Sequence, residues 1–285
     1  MKILITGANG MLAKAVREEL RDEELILTDV DSLDITNIEE VRKFVENNKP
    51  EYIINCAAYT AVDKAEDNLE IARKVNAEGT KNLAIVANEE DVTLIHISTD
   101  YVFGGDKPIE EVYSEEDGKN PVTAYGITKL EGEQAIISSC FKYYIFRTAW
   151  LYGEGNNFVR TMLKLGKEKS ELNVVADQNG SPTYAVDLAS IIHQAIEKGI
   201  PYGVYHATNQ GFTNWYEFTK EIFELAGIDC RVNPVTTEEY IKLLNITQAK
   251  RPKNSKLSKE KLLNAGVRIP EYEDALKRYL EKELQ

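Results

Sequence analysis

The chain has 285 residues, enough for one large domain or two small ones, and its 43% hydrophobic and 28% charged content is that of a folded protein with a sizeable core. A net charge of -13 argues against a nucleic-acid partner, because gripping a phosphate backbone takes clustered Lys and Arg; a local basic cleft can still hold a small anion. Cys56, Cys140 and Cys230 fit neither a zinc site nor a disulfide framework. No apolar run approaches the roughly 18 residues of a membrane span, and the one at Ile3-Leu4-Ile5 is too short for a signal peptide. The expectation is a cytoplasmic protein without membrane contact.

In chain order, a strand is expected at Lys2–Thr6, a helix at 11–20, a strand at 25–29, a helix at 38–47 and a strand at 52–56. Helical pattern over 71–87 leads to a strand at 92–98, a helix at 125–137 and a strand at Tyr143–Thr148. The strands are near-continuous apolar runs separated by long amphipathic segments. That pattern predicts βαβ crossovers and a parallel sheet covered on both faces, an α/β Rossmann-type doubly wound fold. Beyond residue 150 the alternation fades. A polar loop is expected at 177–183, helices at 185–197, Trp215–Ala226 and Tyr272–Glu283, and short β-like runs at 174–176 and 204–207. This divides the chain into a dinucleotide-binding domain over 1–150, its sheet completed by 151–176, and a small substrate-binding α/β lobe over 177–285.

Thr6-Gly7-Ala8-Asn9-Gly10-Met11-Leu12-Ala13 sits where the first strand hands over to the first helix. Gly7 permits a sharp turn out of the strand. Gly10 lets the backbone approach a pyrophosphate, which then accepts the free N–H groups of the helix start. Ala13 stands where a third glycine would allow close helix–sheet packing. Asp29, about 20 residues on, is placed to accept from the adenosine ribose hydroxyls. A carboxylate there repels a 2′-phosphate and so points to NADH ahead of NADPH. Asp34 and Ile35 follow: Asp34 either meets the adenine amine or serves the turn before the next helix, and both readings stay open.

Tyr125 and Lys129 stand four residues apart at a helix start, so phenol and ammonium share one face. A phenol with a pKa of about 10 is a poor acid–base group at neutral pH until a neighbouring cation brings it closer. Ser98-Thr99-Asp100 ends the fourth strand, at the edge of a parallel sheet where ligands bind. Thr99, Tyr125 and Lys129 thus form a group able to polarise a carbonyl and relay a proton opposite a hydride donor.

With these features the chain resembles the extended short-chain dehydrogenases/reductases, and within them the dTDP-4-dehydrorhamnose reductase family. The resemblance runs almost the full length. It is carried by residues 7–13, by Asn55-Cys56-Ala57-Ala58-Tyr59-Thr60-Ala61-Val62-Asp63-Lys64-Ala65-Glu66, by Ser98-Thr99-Asp100-Tyr101-Val102-Phe103 and by residues 125–131. Further segments are Phe146-Arg147-Thr148-Ala149-Trp150, Gly155-Asn156-Asn157-Phe158, Asp177-Gln178 through Pro182-Thr183, and Arg251-Pro252-Lys253-Asn254-Ser255. It implies NAD(P)H-dependent reduction of a 4-keto-6-deoxy sugar on thymidine diphosphate. It also implies catalytic roles for Thr99, Tyr125 and Lys129, cofactor contacts from Gly7, Gly10, Met11, Leu12, Asp29, Asp34, Ile35, Ala58, Tyr59, Thr60, Tyr125 and Lys129, and sugar-nucleotide contacts from Thr99, Asp100, Tyr125 and Trp150. Arg251 and Lys253 could face the diphosphate or form a solvated loop.

Some members of that family dimerise around a metal held by a glutamate early in the first helix. The matching position here is Ala15, so the resemblance leaves a homodimer open but not a metal-bridged one. Three other readings compete. A dehydratase of the same branch carries Thr-Asp-Glu where this chain has Thr99-Asp100-Tyr101. A 4-epimerase shares the Tyr/Lys pair without the specific strings. A regulatory subunit like the β subunit of methionine adenosyltransferase would keep the cofactor fold without turnover.

Overall fold

The computed structural model describes residues 1–285. Its first half follows the alternation of the sequence: β1 (Lys2–Thr6), α1 (Met11–Glu19), β2 (Glu24–Thr28), α2 (Ile38–Asn48), β3 (Tyr52–Asn55), α3 (Val62–Asp67) and α4 (Leu69–Arg73). A π-helical turn, Lys74–Gly79, joins α4 to α5 (Thr80–Glu89), so the single helix expected over 71–87 is one helical run with a widened turn in its middle. Then come β4 (Thr93–Thr99), a 3-10 turn at Asp100–Val102, α6 (Ala124–Ser139) and β5 (Tyr143–Thr148).

The second half comprises β6 (Leu151–Tyr152), α7 (Phe158–Glu168), β7 (Glu171–Val175), β8 (Asn179–Gly180), β9 (Thr183–Tyr184) and α8 (Ala185–Lys198). It continues with β10 (Gly203–His206), β11 (Thr213–Asn214), α9 (Trp215–Ala226), β12 (Arg231–Val235), α10 (Thr237–Leu244), α11 (Glu260–Asn264) and α12 (Tyr272–Glu283). No helix is long and apolar enough to cross a membrane.

Six parallel strands form the main sheet in the order β10-β5-β4-β3-β1-β2. Apolar side chains leave both faces, as a doubly covered sheet requires. Ile3 and Ile5 of β1, with Ile54, Ile95 and Phe146, pack under α1 and α8. Leu4, with Ile53, Leu94 and Ile145, packs under α2, α5 and α6. The chain leaves β1 toward β2 on one side and returns to β3 on the other. The crevice beyond the carboxyl ends of β1 and β3 is therefore the switch point where such sheets bind ligands.

The sheet is not completed by 151–176. Its sixth strand is β10, while β6 pairs with β9 and β7 pairs with β12. The physical reason is alternation: in β7, Glu171 and Asn173 are exposed between buried Leu172 and Val174, a strand with one wet face. β10 turns Tyr205 and His206 into the interior and extends the sheet. Together with α8, it puts much of 185–206 in the dinucleotide half. The smaller lobe has its own core, in which Met162 and Leu163 of α7, Phe218 and Ile222 of α9 and Leu276 and Tyr279 of α12 meet.

Candidate active site

The cleft begins at the glycine turn. Gly7 has φ of +64°, in the left-handed region, and a Cβ there would lie 2.7 Å from the Ala57 backbone. Glycine is thus required both by conformation and by the close approach of the turn to the end of β3. Gly10 caps α1 with its own N–H spent on the Gly7 carbonyl, while the amides of Met11, Leu12 and Ala13 find no backbone acceptor. A helix start with free amides beside a turn with glycine at both ends fits a pyrophosphate. At one end lies a pocket of about 290 Å³ lined by Asp29, Leu33, Asp34, Ile35 and Ala58. Asp29 accepts from the amides of Asn9 (3.1 Å) and Val30 (2.8 Å). Asp34 accepts from the amide and hydroxyl of Thr36, which holds its carboxyl below the usual range. The helix cap proper is Asn37.

The next stretch, about 440 Å³, is shared by Gly10, Met11, Leu12, Ala58 and Thr60 on one side and Thr99, Tyr125, Lys129 and Trp150 on the other. Thr123 caps α6 by accepting from the Gly126 amide, which sets where the helix starts. Gly126 also lets α6 close on β4's end: a Cβ there would meet the Tyr101 carbonyl at 2.3 Å. Tyr125 packs edge-on to Tyr101, ring centres 5.5 Å apart. Burial pushes the Tyr125 phenol above its ordinary value, with a hydrogen bond to Thr99 working the other way. One turn on, Lys129 is only 2% exposed. Its Nζ donates to the Ile97 carbonyl (2.6 Å) and lies 3.2 Å from His96 Nε2. Burial pushes this amine down to about 8. The Thr99 hydroxyl donates to Asp100 (2.9 Å), and Ser255 donates to the other Asp100 oxygen (2.5 Å). Burial raises the Asp100 carboxyl to about 6 against both bonds.

Beyond Asp100, Tyr101 and Trp150 the cleft opens into a third pocket, about 340 Å³, under the small lobe. Trp150 is held at φ of +49° and stacks on Trp215, ring centres 3.7 Å apart, with Phe158 against the far side of Trp215. Gln178 accepts from the Trp215 indole (3.1 Å) and donates to Thr237 (3.0 Å), so its amide has a fixed orientation. Arg251 reaches across to both carboxylate oxygens of Asp63 in α3 (2.8 and 2.7 Å) and lies 3.3 Å from the Tyr101 hydroxyl. Burial lifts the Tyr101 phenol to about 12 despite the guanidinium beside it.

All 285 residues match the model of the RmlD substrate binding domain family. The chain belongs to this family. It is 41% identical over 292 aligned residues to a dTDP-4-dehydrorhamnose reductase of Aggregatibacter actinomycetemcomitans, covering 97% of each chain. Among solved structures it superposes on a dTDP-4-dehydrorhamnose reductase of Clostridium acetobutylicum with a TM-score of 0.95 and 48% identity, covering all of both chains. It superposes on that of Bacillus anthracis, crystallised in complex with NADP, with a TM-score of 0.92 and 43% identity, covering 99% of this chain and 100% of that one.

Within this RmlD-family cleft the residues singled out from sequence converge, with two exceptions, Tyr59 and Lys253: Tyr59 lines neither cofactor pocket. Its ring packs with Ala65, Ala72 and Ala124, while its backbone is clamped by Asn76, which accepts from the Tyr59 amide and donates to its carbonyl. Arg251 lines the third pocket and Lys253 is exposed outside it. Sequence reasoning gave no role to Asn55, Asn76, His96, Gln178 or Trp215. His96 carried a signal, a polar residue inside an otherwise apolar strand; Asn76 carried none, and Trp215 and Gln178 gain meaning only when distant segments meet.

Proposed function

We propose that this chain reduces the 4-keto group of dTDP-4-dehydro-L-rhamnose to give dTDP-L-rhamnose, taking NADH ahead of NADPH. The observation that carries the reading is the position of Tyr125 and Lys129. They stand on one face of α6, at the joint between a backbone cradle suited to a dinucleotide and an aromatic pocket suited to a sugar nucleotide. The reduced nicotinamide, when bound, supplies the hydride. Thr99 and Tyr125 meet the carbonyl oxygen, and the Tyr125 hydroxyl, kept protonated by burial, gives its proton to that oxygen as the ketone becomes an alcohol. Lys129, a buried amine whose proton is held loosely, restores the proton to Tyr125. Trp150, Trp215 and the fixed Gln178 amide form the wall for the base, with Arg251 as the nearest cation for the diphosphate.

Elimination would need a base where Tyr101 stands, and a phenol raised to about 12 is not one at neutral pH. The test offers dTDP-4-dehydro-L-rhamnose and dTDP-glucose in parallel, each with NADH and with NADPH, following cofactor absorbance and product mass. One reduced cofactor is expected to be consumed per keto sugar, with dTDP-glucose untouched. Loss of water from dTDP-glucose would replace the reading with a dehydratase. Cofactor binding without turnover on the keto sugar would replace it with a regulatory subunit.

A further inference from the structure

His96 is fully buried in β4 and has no part in the reaction as described. Its ring lies between two nitrogens, Asn55 Nδ2 at 3.1 Å from Nδ1 and Lys129 Nζ at 3.2 Å from Nε2. The Asn55 amide is oriented from outside the pair. The Ala57 backbone N–H, which can only donate, gives a hydrogen bond to Asn55 Oδ1 (3.1 Å), and the Thr6 hydroxyl donates to the same oxygen (2.7 Å). With its oxygen so engaged, Asn55 presents its NH2 group to the ring, and His96 Nδ1 must accept. A neutral imidazole that accepts at Nδ1 carries its proton on Nε2. That N–H points at Lys129 Nζ, which already donates to the Ile97 carbonyl. An uncharged amine has a lone pair to receive it; an ammonium has none, and the two would meet donor to donor.

We propose that His96 is a positioning residue, a fixed Nε2–H donor that seats Lys129 and favours its uncharged form, so that Lys129 hands its proton readily to Tyr125. This rests on the assignment of Lys129 to the reductase reaction. Putting a proton on Lys129 without passing it on would require the ring to exchange tautomers against the Asn55 NH2 group. Alternatively, Asn55 would have to turn over and face the Ala57 amide with a second donor. Burial acts in the same sense on both groups, lowering Lys129 and keeping the His96 imidazole well below its ordinary range. The other groups around Lys129 come from every neighbouring element. Cys56 at the end of β3 and Glu133 on α6 favour the ammonium, but Glu133 is already bound by Arg147 of β5 and by the Ser98 hydroxyl of β4. Tyr125 and Asp100 line the same stretch of cleft.

Two measurements test this. In the whole chain without ligands, labelled with 15N-histidine, long-range 1H–15N correlations separate the tautomers of His96, His193 and His206, and the signal missing from His96→Gln identifies His96. The expected result is a protonated Nε2, an unprotonated Nδ1 and no titration between about pH 5 and pH 8. A protonated Nδ1 or a titrating ring would overturn the proposal, whatever the enzyme reduces. In the kinetic arm, His96→Leu removes the Nε2–H donor and puts no polar atom in its place. The alkaline limb of kcat/KM for the keto sugar should then move up by about one pH unit, with the NADH Kd held within a few-fold. An unmoved limb would overturn the coupling to Lys129. Absence of any keto-sugar reduction by the unaltered chain would instead strike the reductase reading and leave the tautomer result standing.

Discussion

At the glycine turn the cleft is made of backbone; at the Trp150–Trp215 stack it is made of side chains. The first end comes from one continuous segment, residues 6–13, pressed against Cys56 and Ala57, and its chemistry is free amides and a positive φ at Gly7. The second end draws Asp100, Trp150, Gln178, Trp215 and Arg251 from five separate places in the chain and fixes them by stacking and side-chain hydrogen bonds. A backbone site of this kind holds what many dinucleotide-binding proteins share, a pyrophosphate. A side-chain site can be refitted one residue at a time, and that is where discrimination among sugar nucleotides belongs. Tyr125 and Lys129 stand at the seam, so a change there should spare binding at both ends.

The largest effect is therefore expected from Tyr125→Phe. Turnover should fall by a factor on the order of a hundred or more, because the proton donor is lost. The Kd for NADH, followed by fluorescence titration, should stay within a few-fold. Near-normal turnover would assign the proton to another group. Next come two substitutions matched across the comparison. Gly7→Ala forces a side chain into the left-handed region at a cost of about 1–2 kcal/mol and into the Ala57 backbone besides, so it should lower Tm and weaken NADH binding together. Trp215→Ala withdraws the ring that holds Trp150 in place at the third pocket, and an aromatic wall of this kind is worth about 1–3 kcal/mol per stacked base. It should raise KM for the dTDP-sugar by roughly tenfold and leave KM for the cofactor unmoved. Equal loss of both affinities in Trp215→Ala would show that the two ends are not separable.

The same contrast explains what could be read from the sequence. The doubly wound sheet was legible because burial on both faces turns its strands into unbroken apolar runs, and the dinucleotide turn because its requirements fall on neighbouring residues. The Tyr125/Lys129 pair was legible because i, i+4 spacing is local. The sixth strand was misplaced because β10 offers only four residues of pattern, whereas 151–176 offered more apolar residues in pieces too short or too wet to be sandwiched. Trp215 and Gln178 were invisible because nothing in either segment announces that the other will meet it. The π-helical turn at Lys74–Gly79 was hidden by a helical periodicity that continues through it, yet that turn is where Asn76 bonds both the Tyr59 backbone and Thr128.

The smallest expected effect concerns cofactor choice, and it probes whether a backbone site can discriminate at all. Asp29 directly follows β2, at the glycine-turn end of the cleft, with its two oxygens turned to the amides of Asn9 and Val30. No Lys or Arg lines that pocket. Of the nearby cations, Lys14 pairs with Glu154 at 2.7 Å, and Lys74 lends its charge to Asp34 within the pocket itself. A ribose 2′-hydroxyl can donate to the Asp29 carboxylate, whereas a 2′-phosphate would bring a second negative charge against it. Two like charges about 4 Å apart repel by roughly 1–4 kcal/mol between bulk water and a protein surface. The unaltered chain should therefore show a higher kcat/KM with NADH than with NADPH. Asp29→Ala also releases the Asn9 and Val30 amides, so its affinity for both cofactors should drop, and the informative quantity is the ratio of the two specificity constants. That ratio should move toward NADPH by several-fold up to about tenfold, and less at high salt, because the site is open to solvent. A ratio unchanged by Asp29→Ala would mean that cofactor choice is made by the cradle's shape alone. A clear NADPH preference in the unaltered chain would mean that Lys14 or Lys74 leaves its partner when the phosphate arrives.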